Sequence, residues 1–134
     1  MSLSADLRAF ILDDVDCLPL LRDRVHQDTI PQEHATYPRV WYQRRGREST
    51  HCLDDTGGPY KHTYDLEVIA ETPESRDAVA DALWGRLDGY AGDLGSHRAQ
   101  GVFVEDQDED YVPKAIAADA GLFVAAMSVV IWTD

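Results

Sequence analysis

The chain has few cysteines and no long apolar run, and each absence excludes a class of protein. Its two cysteines, Cys17 and Cys52, form no Cys-x-x-Cys pair, so we interpret both as reduced, unreactive thiols. No stretch of roughly 18 or more apolar residues is present to span a bilayer. Residues 1–6 carry no positive charges ahead of an apolar core, as a signal peptide would. We therefore expect a protein that folds in the cytoplasm and has no membrane partner.

Basic side chains are also scarce. Lysine and arginine contribute 12 residues against 25 aspartates and glutamates, which gives a formal net charge of -13. Attachment to nucleic acids and to anionic lipids depends on positive charge, so this balance disfavours both. We expect no specific nucleic-acid binding, although DNA can pass nearby without adhering.

Sequence motifs that carry chemistry are missing as well. The five histidines have no spacing suited to zinc, no glycine-rich phosphate loop precedes a helix, and no Gly-x-Ser-x-Gly motif occurs. We identify no catalytic residue, no cofactor site and no metal ligand. The sequence therefore predicts a protein without enzymatic activity.

The chain does contain one long strand followed directly by a helix. Apolar and polar residues alternate over Tyr60–Glu71, with the period of two that is typical of a half-buried antiparallel strand. Thr72 and Pro73 end the strand and start a helix over Glu74–Asp88, with Thr72 as the N-cap and Pro73 at the first helical position. At 134 residues the chain is long enough for one domain, 1–134, with its own core.

Apolar residues at helical spacing predict another helix near the N-terminus, with Ser4 as its N-cap. Its core positions are Leu3, Leu7, Phe10, Ile11, Val15 and Leu18. We expect Pro19 to break or restart this helix and to give a short second turn over Leu20–Arg24. The segment Val25–Pro38 is interpreted as a loop.

A cluster of arginines comes next. The pattern predicts a strand over Tyr37–Arg45 and a hairpin or extended loop over Arg44–Pro59. The basic cluster, Arg44, Arg45 and Arg47, lies in this loop. In a chain of such negative charge, we expect these arginines to meet carboxylates more readily than nucleic acid.

An acidic run lies nearer the C-terminus. Tyr90–Gly101 is interpreted as irregular and Val102–Val104 as a short strand. Five carboxylates follow, on Glu105, Asp106, Asp108, Glu109 and Asp110. Like charges this close repel one another, so we interpret the run as a solvated loop, with a docking surface as the alternative. It lacks the central glycine and the final glutamate of a calcium-binding EF-hand loop.

The C-terminal segment Leu122–Thr133 is apolar at both odd and even positions. Such a strand lies in the centre of a sheet or presents one face to a partner. Together these elements predict an α+β fold: a mostly antiparallel sheet of about four to five strands packed against two helices, the N-terminal helix and Glu74–Asp88.

This order of elements resembles the small tail completion proteins, or tail terminator-like proteins, of long-tailed bacteriophages and prophages. The resemblance covers nearly the whole chain. The segments that carry it are Leu7–Leu21, Arg24–His26, Tyr37–Tyr42, Tyr64–Val68, Thr72–Arg76 and Phe123–Trp132. The acidic run Glu105–Asp110 departs from what the family leads us to expect.

The resemblance implies a structural protein without an active site. It implies a ring of six copies that caps the finished tail tube and offers a docking surface to the head connector. The expected partners are other copies of the chain, the tail tube protein and the head connector protein. The expected location is the virion tail, after assembly in the host cytoplasm.

Strand length points to self-association independently of the resemblance. Twelve residues of strand span about 40 Å, whereas a compact chain of this size is a sphere of about 36 Å. Such a strand crosses the domain and can project beyond it, and a projecting strand invites a neighbour.

We hypothesise that copies join head-to-tail, because a ring requires two different surfaces on each copy. The basic surface consists of Arg44, Arg45 and Arg47, and the acidic one of Glu105, Asp106, Asp108, Glu109 and Asp110. Salt should weaken this pairing. It should also relieve the repulsion between copies of charge -13, so the two effects oppose each other.

Two other functions stay open from the sequence. One is a binding module for a small ligand or a protein, with a cleft between sheet and helix lined by Trp41, Tyr60, Tyr64 and Trp84. The other is an acidic anti-nuclease or DNA-mimic inhibitor, for which the net charge is the only argument.

Overall fold

The computed structural model describes residues 2–27, 36–49, 59–112 and 121–134. Within these residues the chain forms one six-stranded sheet with three helices packed against one of its faces. The elements are α1 (Leu3–Leu12), α2 (Cys17–Leu21), β1 (Val25–Gln27), β2 (Arg39–Ser49), β3 (Tyr60–Ala70), α3 (Pro73–Leu87), β4 (Gly92–Leu94), β5 (His97–Val112) and β6 (Leu122–Thr133). We call the two sides of the sheet the helix-covered face and the open face.

The strands lie in the order β1-β2-β3-β6-β5-β4. β1 runs parallel to β2, and every other neighbouring pair is antiparallel. The mostly antiparallel α+β class is confirmed, but the sheet has six described strands where four to five were expected. The additional strands β1 and β4 have three residues each, which is too short to show a period in the sequence.

The strand and helix predicted around Thr72 are confirmed. On β3 the even-numbered residues from His62 to Ala70 are buried on the helix-covered face, and the odd-numbered residues are half-buried on the open face. The Thr72 hydroxyl accepts a hydrogen bond from the amide of Ser75 at 3.1 Å and so caps α3. Such a cap is worth about 1 kcal/mol to the helix.

The first helix differs from its prediction at both ends. Ser2 is the N-cap, and the hydroxyl of Ser4 instead forms a buried hydrogen bond with Tyr64 at 2.8 Å. The helix ends at Leu12, so Val15 and Leu18 lie beyond it and are 82% and 48% exposed. Their assignment to the core was therefore wrong.

Pro19 does not interrupt a helix. It is the third residue of α2, where the amide that proline lacks has no acceptor within the helix. The segment Val25–Pro38, interpreted as a loop, contains β1, while residues 28–35 lie outside the described part of the chain.

The core lies between the helices and the helix-covered face. Tyr42 and Tyr64 are fully buried there, and the Tyr42 hydroxyl donates to the Ser4 carbonyl at 2.6 Å. β6 lies between β3 and β5, which confirms the prediction that the C-terminal strand is central. Trp84 is half-buried and packs against this core. Among the described helices, none combines the length and the apolar character needed to cross a bilayer.

Candidate interaction surface

The far half of β2 is a strand edge without a described partner. β1 pairs only with Val40–Tyr42, and among the described strands none pairs with the outer side of Gln43–Ser49. All side chains of this segment are exposed. The sequence predicted a strand over Tyr37–Arg45 and a hairpin or extended loop over Arg44–Pro59. Pairing with β3 continues the strand through Ser49, while residues 50–58 lie outside the described part. We call Gln43–Ser49 the basic edge.

The arginines of the basic edge point to both faces of the sheet. Arg44 is paired with Tyr64 and Arg47 with His62, which places both on the helix-covered side, beyond the helices. A bulge between Arg44 and Gly46 turns Arg45 to the open face. There Nη2 of Arg45 donates to the Ser128 hydroxyl at 3.1 Å, and Nη1 lies 3.8 Å from the Asp65 carboxylate.

The acidic run also lies on a strand edge. β4 pairs only with His97–Ala99 on the outer side of β5. The chain after α3 covers the next part of that side, where the Val102 carbonyl accepts a hydrogen bond from the Gly89 amide at 2.7 Å. Asp88 accepts from the Val104 amide at 3.0 Å. Beyond that point no described strand pairs with the outer side of β5. We call Glu105–Val112 the acidic edge.

The prediction of a solvated loop for the acidic run was wrong, because β5 continues to Val112. Its ladder with β6 pairs Asp108 with Ala126 and Asp110 with Val124. The carboxylates do not oppose strand formation, since each of the five side chains is exposed. Charges on an exposed edge also hinder unspecific pairing with other strands.

Carboxylates occur on both faces of the acidic edge. Asp106, Asp108 and Asp110 pair with residues of β6 that lie on the open face. Glu109 lies on the helix-covered side, where its carboxylate is 3.5 Å from Nη2 of Arg76 at the start of α3. Tyr111, also on this edge, is 49% exposed.

The two edges lie at diagonally opposite corners of the sheet. Residues that are paired across β2, β3, β6 and β5 form rows perpendicular to the strands. One row is Gly46, Thr63, Val130 and Phe103, and another is Trp41, Glu67, Ala126 and Asp108. The first row contains the centre of the basic edge and the second the centre of the acidic edge. On β6 the rows are four residues apart, from Val130 to Ala126.

The structure brings some of the predicted interface residues together within one copy. Arg45, Asp106 and Asp108 line the same shallow depression of about 340 Å³ on the open face, with Asp65 and Glu67. Arg44 and Arg47 lie away from it, as does Glu109. Arg45 is thus partly engaged within its own chain.

His62 is buried next to the basic edge. Its Nε2 atom is hydrogen-bonded to the Thr133 hydroxyl at 3.0 Å, and Nδ1 has no partner among the described residues. Burial, together with the charges of Arg44 and Arg47, lowers the pKa of His62 to about 4. The ring is therefore neutral at physiological pH, as expected for a packing residue.

A second depression, of about 440 Å³, lies beside the buried Asp6 of α1. The Asp6 carboxylate accepts hydrogen bonds from the Ser96 amide at 3.0 Å, the Ser96 hydroxyl at 2.8 Å and Nδ1 of His97 at 2.7 Å. Burial raises the pKa of Asp6, but these hydrogen bonds outweigh burial and leave that pKa below its usual value.

This cluster is not arranged for nucleophilic catalysis. A relay requires the serine and the carboxylate on opposite nitrogens of the histidine, whereas Ser96 and Asp6 both approach Nδ1 of His97. The contacts instead join α1 to the start of β5. The sequence did not reveal this connection, since Asp6 reads as an ordinary acidic residue in a first helical turn.

The aromatic cleft expected for a ligand-binding module is not formed. Tyr64 is fully buried and points to the helix-covered face, whereas Trp41 is paired with Glu67 on the open face. Tyr60 lies at the exposed end of β3, and Trp84 packs on the core.

Cys17 is buried, and burial together with the nearby Asp14 carboxylate raises the pKa of its thiol to about 12. That thiol stays protonated, consistent with an unreactive cysteine. Cys52 lies outside the described residues. Within the described ranges, no group of three or more histidine, cysteine or acidic side chains is placed to hold a metal ion.

Comparison with known proteins gives a structural match. No protein-family model matches the chain, and no curated protein matches its sequence. Among solved structures, 26 chains match its fold. One belongs to the virion of a native gene transfer agent particle; it aligns with 98% of this chain and 91% of its own, with a TM-score of 0.67 and 19% sequence identity. At this identity the match establishes the shared fold.

Proposed function

We propose that the protein is a structural component of a phage-like virion and completes its tail. The observation that carries this proposal is the fold shared with a chain of the gene transfer agent virion over nearly the full length of both chains. In the proposed role, six copies form a ring that caps the tail tube and offers its other side to the head connector. The partners are other copies, the tube protein and the connector protein, and the location is the virion tail.

The mechanism is geometric and involves no catalysis. A ring that binds the growing end of the tube more tightly than the next tube subunit does stops growth at that point. Closing a ring requires two different surfaces on each copy. The basic and acidic edges are two such surfaces, on opposite sides of one sheet.

The charge of the chain suits a ring through which DNA passes. A formal net charge of -13 on each copy disfavours lasting contact with phosphates. The proposed ring therefore guides DNA by shape and does not retain it.

Two measurements test the proposal. Light scattering coupled to size-exclusion chromatography should give the mass of six copies, and electron microscopy should show rings. The protein should also shorten the tubes that the tail tube protein of the same virion forms in solution, in proportion to its concentration. A monomer at every concentration and salt tested, with no effect on tube length, would refute the proposed function and favour a binding module.

A further inference from the structure

We propose that copies in the ring join by main-chain pairing, with the basic edge of one copy forming an antiparallel ladder with the acidic edge of the next. The sheet then runs without interruption from copy to copy. This inference rests on the proposed ring and specifies the contact that closes it.

Both edges offer main-chain groups for such a ladder. An unpaired edge presents a row of amides and carbonyls that is a template for another strand. Gln43–Ser49 and Glu105–Val112 have similar lengths, about 23 and 26 Å at about 3.3 Å per residue. Among the described residues, β1 pairs only with Val40–Tyr42 and β4 only with His97–Ala99, so neither covers the basic or the acidic edge.

The direction of the ladder follows from the topology. β2, β3, β6 and β5 alternate in direction, so β2 and β5 of one copy run opposite ways. Rotation about a ring axis preserves the direction of each strand along that axis. β2 of one copy therefore meets β5 of the next in antiparallel orientation, with the helices of all copies on the same side.

Charges then match on both faces of the new ladder, because paired residues project to the same face. On the helix-covered side, Arg44 and Arg47 approach Glu109 of the next copy. On the open face, Arg45 approaches Asp108 and Asp110 of the next copy, while Glu48 lies opposite Asp106. Pairing two like edges would bring arginines against arginines or carboxylates against carboxylates, so a symmetric dimer through one edge is disfavoured.

The diagonal placement of the edges fits a closed ring. The edge centres are offset by four residues, about 13 Å along the strands, over a width of four strands, about 19 Å. This ratio corresponds to strands inclined by about 35° to the ring axis. Closed sheets have tilts of about 35–45°, so the offset is of the size that closure requires.

One register fits the ends of both edges. When Gly46 pairs with Asp108 of the next copy, both residues project to the open face. Ser49 then lies opposite Glu105, where the cover of β5 ends. Because Arg45 is the extra residue of the bulge, Arg44 lies opposite Glu109 and Gln43 opposite Asp110.

Charge reversal tests the pairing in the full-length protein. The first variant carries Arg44→Glu, Arg45→Glu and Arg47→Glu, and the second carries Asp106→Lys, Asp108→Lys and Asp110→Lys. Each variant has two edges of the same sign and should remain monomeric alone. Their equimolar mixture should assemble, because the variants can alternate around a ring with an even number of members. Light scattering should then give the wild-type mass.

The control is Arg98→Glu, which reverses an exposed arginine outside both edges. It should assemble as the wild type does, and circular dichroism should show that all variants are folded. The edge pairing would be overturned if each reversed variant alone assembled as the wild type does, or if the folded mixture stayed monomeric. Either result would leave the proposed ring itself standing. A monomeric wild-type protein would overturn the proposed function itself.

Cysteine cross-linking tests the register independently. In a Cys52→Ser background, Gly46→Cys combined with Asp108→Cys places two cysteines at the distance of paired strand residues, about 4.5–5.5 Å between Cα atoms, which suits a disulfide. Oxidation should give a ladder of covalent oligomers. Each single-cysteine variant should give at most dimers, and the same result for the double variant would overturn this register.

Discussion

The carboxylate of Asp6 lies 2.7 Å from Nδ1 of His97, across 91 positions of the chain. This contact joins the first helix to the beginning of β5, the strand that ends in the acidic edge. Ser96 adds two further hydrogen bonds to the same carboxylate oxygen. The position of β5 relative to the helices therefore depends on a buried acidic group.

Asp6→Asn should destabilise the protein at neutral pH, because hydrogen bonds to a charged group are worth roughly 1.5–3 kcal/mol. The pKa of Asp6 is lowered in the folded state, so its contribution is present above the unfolded value of 3.8 and is lost as the pH falls through the folded pKa. Urea unfolding at pH 7 and pH 3 should show the variant closer to the wild type at pH 3. The exposed Asp13→Asn is the control, and an equal loss in both variants would contradict this account.

His62→Gln should make stability less sensitive to acid. Folding lowers the pKa of His62 from 6.5 to about 4, so the unfolded state takes up a proton first and wild-type stability falls between these values. The shift corresponds to at most about 3 kcal/mol. Chemical unfolding at intervals from pH 7 to pH 4 measures the difference, and parallel curves for both proteins would contradict the burial of a neutral ring.

Two glycine-to-alanine substitutions should change the stability of the protein in opposite directions. Gly95 has φ +59, and an added Cβ would collide with the Asp6 carboxyl group. Gly95→Ala should therefore cost more than the roughly 1 kcal/mol of left-handed backbone strain. Gly85→Ala meets no atom within 4 Å and should stabilise α3 by about 0.5–1 kcal/mol. Thermal unfolding of both variants provides the measurement, and a loss at Gly85 would indicate a contact with another copy.

Glu48→Lys should strengthen association. Glu48 is the acidic residue within the basic edge, and in the proposed register it lies opposite Asp106 of the next copy. Cross-strand charge pairs contribute roughly 0.2–1 kcal/mol, so the dissociation constant should fall by up to about fivefold at each contact. Sedimentation at several concentrations gives that constant. Weaker association in the variant would place the interface elsewhere.

Added salt should weaken the ring if the edges close it. Screening relieves the general repulsion between copies, but it also reduces the attraction between arginines and carboxylates at close range. A titration from about 0.05 to 0.5 M sodium chloride followed by light scattering should show loss of the ring for the wild type. The variant with three reversed arginines should stay monomeric over the same range. Association of the wild type that rises steadily with salt would show that repulsion dominates.

The parts of the fold that the sequence predicts are those with strong local signals. β3 shows a clean alternation, and Thr72 and Pro73 mark the start of α3 by chemistry that acts within one helical turn. β6 is apolar on both sides, which is enough to place it centrally.

The parts that the sequence misses depend on distant partners. β1 and β4 exist because β2 and β5 lie beside them. The acidic run becomes strand through its ladder with β6, which no local pattern of charges reveals. Asp6 is buried because His97 and Ser96 meet it from the other end of the domain. Opposite charge on two segments could be predicted, but their location on opposite edges of one sheet required the topology.

A ring closed through the two edges would also have a polarity, because rotation about its axis gives every copy the same orientation. In a ring closed through them, every copy points the end of β3 at Tyr60 to one rim and the end at Ala70 to the other. The two rims therefore differ in sequence all the way round, and the ring cannot be turned over without presenting different chemistry. In the proposed function, such a ring would distinguish the side of the tube from the side of the capsid without any additional subunit.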